Sequence, residues 1–166
     1  MRVSEAQLRA VRQCLRVEGI LPPRAAVFAM FALGEADESQ VIASASWTGK
    51  PDQGAVSWHL LARTENGLVV VSASANTPWQ WKHLPDEAPE GAKLVARYFL
   101  LSRIRSVGVT DVRLWDDPYL SVVDLTAHHS WVLTVDGEPP IVINPDGSEA
   151  TSERHRAFFE ELRSAL

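Results

Sequence analysis

The sequence predicts an α+β protein, mainly antiparallel β, with a helix at each end. Three observations carry that expectation. Short runs rich in Val, Ile and Trp fill the chain from residue 41 onward. Two of these runs meet across Glu65-Asn66-Gly67 and two more across Asp136-Gly137, which are hairpin signals. Residues 152–166 carry apolar side chains at helical spacing.

The elements follow in order. Ser4 and Gln7 stand at capping-box spacing, and Leu8, Val11 and Leu15 recur at i, i+3 and i+7. A helix therefore starts near residue 4, with Arg9, Arg12 and Arg16 lining its other side. Gly19 and then Pro22 and Pro23 stop it. The stretch AAVFAMFAL (25–33) fits either a buried helix or a buried strand. Residues 1–40 are thus expected to form a helical extension, and residues 41–166 the β domain with its final helix.

VIASASWT, AVSWHLLART and LVVVSASA read as three strands. Val69, Val70 and Val71 in succession point to burial on both faces or to the end of a sheet. NTPWQWKHLPDEAPEG (76–91) is a long polar connection, a length usually kept for function or mobility. RYFLLSRIRSVGVTDVRLW (97–115) reads as strand, joint and strand. Leu94, Tyr98 and Leu101 also recur at helical spacing, so an alternative places a helix over 92–106 and makes an α+β sandwich. After an irregular stretch, WVLTV and IVI flank the Asp136-Gly137 turn, with Pro139 and Pro140 restricted to an edge or a bulge. In the final helix Ser152 is the expected cap. Phe158, Phe159, Leu162, Ala165 and Leu166 make its apolar face.

This order resembles the pleckstrin-homology-like barrel family. The likeness rests on 58-WHLLARTENGLVVVSA-73, on 100-LLSRIRSVGV-109, and on 131-WVLTVDGEPPIVINP-145 before the last helix. Bacterial domains of that family have a similar Leu-Ser-x-Ile-x-x-Val joint leading into a strand. The resemblance spans residues 55–166 and implies a partly open barrel of about seven strands, capped by the C-terminal helix. The early hairpin holds only Arg63, followed by Glu65, so the resemblance does not carry lipid binding with it.

Composition narrows the function classes. The net charge is −5, whereas nucleic-acid binders present a basic field, so no nucleic-acid partner is expected. Residues 1–24 run the other way, with five arginines against two glutamates. Their face could touch a membrane, but it has no Trp or Phe anchor on the apolar side, so membrane contact is not the favoured reading. Cys14 is the one cysteine, which suits a reducing cytoplasm. The longest apolar run, Ala25 to Leu33, falls far short of the roughly 20 residues of a membrane span.

No nucleophile elbow, phosphate loop or dinucleotide fingerprint appears. The five histidines, His59, His83, His128, His129 and His155, have no metal-ligand spacing, so neither a metal nor a cofactor is expected. Asp116 and Asp117 precede Pro118 and read as turn residues. Asp124 sits in an apolar run as a paired or edge charge. The candidate binding residues are Trp79, Trp81, Lys82 and His83, where two aromatics interrupt the polar connection. The expected function is a non-catalytic binding or scaffold module of the bacterial cytoplasm, associating with a protein or with itself. The alternatives are a small enzyme using a His/Asp pocket near Asp116, Asp117 and His128, and a membrane-peripheral module.

Overall fold

The computed structural model describes residues 4–34, 38–48, 54–77, 88–115, 126–145 and 149–166. Two helices lead, α1 (Glu5–Cys14) and α2 (Arg24–Leu33). Four strands follow, β1 (Val41–Trp47), β2 (Val56–Arg63), β3 (Gly67–Ala75) and β4 (Lys93–Leu100). Three more, β5 (Ile104–Trp115), β6 (Thr126–Val135) and β7 (Ile141–Ile143), precede α3 (Glu149–Ser164).

The expected cap of α1 forms: Ser4 Oγ accepts the Gln7 N–H at 3.1 Å. Leu8, Val11 and Leu15 are buried. The arginine face is corrected. Arg9 and Arg16 are exposed, but Arg12 is buried and its Nε donates to the Pro22 carbonyl at 2.6 Å. An interior carbonyl in the turn between two helices needs a donor, and Arg12 reaches it. The ambiguous run 25–33 is helix, consistent with its alanine content, and it buries Ala26, Val27, Met30 and Phe31 along one stripe.

All strand pairs are antiparallel, in a four-stranded sheet of order β1-β2-β3-β4 and a three-stranded sheet of order β5-β6-β7. Among the described residues these two sheets are not closed into a barrel. Side chains alternate across the first sheet and feed two apolar clusters. On one face Val41, Trp58, Leu60, Val69 and Val71 meet α1 and α2. On the other, Ile42, Leu61, Leu68, Val70 and Phe99 meet the second sheet and Phe158, Phe159 and Leu162 of α3. Burial on both faces explains the Val69–Val71 run. Trp131 of β6 stacks on Phe159 at 4.7 Å, which fixes α3 over the second layer.

The 92–106 region is strand, a 3-10 turn at Leu101–Arg103, and strand, not helix. The β3–β4 ladder extends past the strand end, with the Leu101 N–H donating to the Asn66 carbonyl at 3.2 Å. Its arginines converge on the β6–β7 turn. Arg97 pairs with Glu138, Arg105 with Asp136, and Arg103 donates to the Asp136 carbonyl.

Two local expectations change. Neither Asn66 nor Gly67 takes a positive φ, whereas Gly137 does at 75°. Glycine at 67 answers to close approach instead: an added Cβ would meet the Phe99 carbonyl at 2.5 Å, and the Tyr98 ring as well. Helix α3 begins at Glu149, so Ser152 lies inside it. It ends at Ser164, which leaves Ala165 and Leu166 exposed beyond the apolar stripe.

Candidate functional site

The four-stranded sheet has two edges, and they are treated differently. Three hydrogen bonds define which residues face outward. Thr48 N–H donates to Ala55, Thr64 N–H to Gly67, and Leu101 N–H to Asn66. Antiparallel ladders alternate bonded and non-bonded pairs, so the registers do the rest. On β1, Val41, Ala43, Ala45 and Trp47 turn their backbone polar groups away from β2. On β4, Leu94, Ala96, Tyr98 and Leu100 turn theirs away from β3.

Helix α3 answers two of the outward carbonyls of β1. Arg154 Nε donates to the Val41 carbonyl at 3.0 Å, and His155 Nε2 lies 3.1 Å from the Ala43 carbonyl. A carbonyl only accepts, so Nε2 carries the proton. His155 is 1% exposed, so this contact is shielded from water. Among the described residues nothing pairs with the β4 edge. That strand also shows Leu94, Val95, Tyr98 and Leu100 to solvent at 37%, 46%, 40% and 52% exposure. An open backbone edge lined by large apolar side chains is a template for an added strand.

A second feature lies on the face toward the second sheet. There the apolar half, Ile42, Leu61 and Val70, gives way to two polar rows. Ser44, His59 and Ser72 stand in register across β1, β2 and β3, and Ser46, Ser57 and Ser74 form the next row. His59 Nδ1 lies 3.2 Å from Ser72 Oγ. Burial lowers the His59 pKa from its ordinary 6.5, so the ring is neutral at pH 7. A cavity of about 530 Å³ opens at this end of the sheet, lined among others by Ser46, Trp47, Ser57, Ser74, Asn76 and Lys93.

A serine beside a neutral histidine suggests acyl transfer, but the surroundings do not supply it. The Ser72 N–H belongs to the ladder with β4 and the Ala73 N–H to that with β2. Neither is free to hold an oxyanion. Among the described residues His59 has no carboxylate to orient it, and no three His, Cys, Asp or Glu side chains gather as metal ligands. The rows offer hydroxyl groups for hydrogen bonding.

The expected site residues Trp79, Trp81, Lys82 and His83 lie outside the described residues, as do Asp116, Asp117 and Asp124. His128 belongs to β6, and its side chain lies outside them too. Residue-by-residue reading missed the β4 edge. RYFL was visible as the start of a strand and Leu94 only as part of a helical spacing, and nothing local distinguishes an edge strand from an inner one. Compared with known proteins, the chain matches no family model, no curated protein and no solved structure.

Proposed function

We propose that the chain is a non-catalytic binding module that associates with protein through the open edge of β4. The observation that carries this reading is the contrast between the two edges of one sheet. At one, Arg154 and His155 answer the Val41 and Ala43 carbonyls; at the other, among the described residues, nothing pairs with the backbone beside Leu94, Tyr98 and Leu100. Strand addition takes its affinity from main-chain hydrogen bonds and its specificity from alternate side chains. Trp79, Trp81, Lys82 and His83 fit the same reading as additional contacts, because their segment leads directly into β4 along the chain.

The element order also supports the pleckstrin-homology-like reading. Four strands in one meander and three in another enclose an apolar layer that the C-terminal helix covers. The single thiol supports a reducing cytoplasm as the setting. No helix among the described residues is long and apolar enough to cross a membrane.

The test is quantitative capture of partners by the full chain from native cytosol, with chemical cross-links mapped by mass spectrometry. Cross-links should cluster on β4. The double substitution Leu94→Lys/Tyr98→Lys should cut capture by about tenfold or more, because charges then enter an apolar contact. Equal capture by the two proteins, with equal thermal melting, would sink the reading.

A further inference from the structure

We infer that the strand added to β4 is β4 of a second copy, running antiparallel and centred on Ala96. This inference rests on the strand-addition reading above and names its partner.

Parity restricts the register. A twofold axis relates the two strands, so outward-facing residues must meet outward-facing residues. Leu94, Ala96, Tyr98 and Leu100 face outward, and their alternation satisfies this condition only when the axis passes through a residue.

Two such axes use nearly all of the strand. An axis through Arg97 leaves only Lys93 over, and an axis through Ala96 leaves only Leu100 over. The Arg97 axis sets two guanidinium groups opposite each other in a non-hydrogen-bonded pair, where Cα atoms approach to about 4.5 Å. Like charges so placed repel. The Ala96 axis avoids this. It sets Arg97 opposite Val95 of the second copy and Lys93 opposite Phe99 of the second copy. Arg97 stays free to pair with Glu138 of its own chain.

The side chains agree with that register. On the helix-bearing face, Leu94 meets Tyr98 of the second copy on both sides of an Ala96–Ala96 pair. This aliphatic–aromatic pairing covers groups now exposed at 37% and 40%. Small Ala96 at the centre lets the two strands close without a bulky clash. The product is one continuous antiparallel sheet made of two four-stranded halves.

The experiment compares the full chain with two variants by sedimentation equilibrium and by amide hydrogen exchange. The wild-type chain should be a dimer, with slow exchange at Leu94, Ala96 and Tyr98. Ala96→Pro should be monomeric, because it removes an outward N–H while leaving the ladder with β3 complete. Its far-ultraviolet circular dichroism should match wild type. If it fails to fold, Tyr98→Lys serves the same purpose without altering the backbone. Cys14→Ser/Ala96→Cys should form a disulfide-linked dimer on oxidation, since hydrogen-bonded partners stand about 5.5 Å apart at Cα. A dimer that does not cross-link at 96, or that survives Ala96→Pro, overturns the inference. A monomer with fast exchange at these amides also overturns it, yet leaves strand addition by another protein standing. A monomer with slow exchange means that the chain covers its own edge, and both readings fall.

Discussion

The two edges of the four-stranded sheet make an instructive pair. β1 and β4 each end the sheet on one side, and each leaves alternate backbone groups facing outward. At β1 two side chains of α3 answer the Val41 and Ala43 carbonyls. At β4 no described group does so, and large apolar side chains flank the gap. An unanswered edge is an aggregation hazard, and proteins commonly blunt it with charge, proline or a covering element. β4 carries Lys93 and Arg97 on the face toward the second sheet, while Leu94, Ala96 and Tyr98 leave its helix-bearing face without a charge.

The same contrast separates β3 from its neighbour. GLVVVSASA and KLVARYFL are comparable in apolar content, yet the Leu68–Val71 run of β3 is fully buried and only Phe99 of β4 is. Position in the sheet, not composition, sets the difference.

The largest expected effect sharpens that comparison. Leu61→Ala on the inner strand β2 should cost about 2–5 kcal/mol, whereas Leu94→Ala on β4 should cost well under that in the monomer. Urea unfolding midpoints of the two variants measure it, and equal losses would mean that β4 is as sealed as β2. Next comes the closed edge. His155→Ala should cost about 1–3 kcal/mol, because the Ala43 carbonyl loses its buried donor. If amide exchange along β1 stays as slow as in wild type, α3 is not what protects that edge.

A smaller effect concerns pH. Burial holds the folded-state pKa of His59 below 6.5, so below that pH the unfolded chain takes up the proton more readily than the native one. Stability from this source is fully present above 6.5 and is lost as pH falls toward the lowered native value. Urea midpoints of wild type should therefore drop more on acidification than those of His59→Gln. Parallel curves would show that His59 is not the group responsible. The smallest effect belongs to Arg97→Ala, about 0–1 kcal/mol, since its pair with Glu138 has a half-exposed arginine. A double-mutant cycle with Glu138→Ala measures the coupling.

Much of the fold was legible locally. The capping pair Ser4 and Gln7, the apolar stripe of α3, the two hairpins and the strand–joint–strand at 97–115 all follow from short-range spacing. The failures share a cause. Helical spacing puts Arg12 with the solvated arginines, yet a carbonyl ten residues on draws it inward. Local sequence makes Gly67 a turn residue, yet the approach of Phe99 from another strand is what requires it. The helix spacing of Leu94, Tyr98 and Leu101 was real but lost to pairing with β3. In each case the deciding group lies far away in sequence.

Helix caps, side-chain periodicity and hairpin turns act over a few residues, so the chain alone specified α1, α3 and the two hairpins, while 25–33 and 92–106 stayed open between helix and strand. Its unbroken valines left β3 either buried on both faces or at the end of a sheet. Packing of the whole chain decided that α3 answers two outward carbonyls of β1, that serines and His59 line up across three strands, and that among the described residues nothing pairs with the outer edge of β4. These depend on strand order and register, which follow from where the whole chain can bury its apolar faces together.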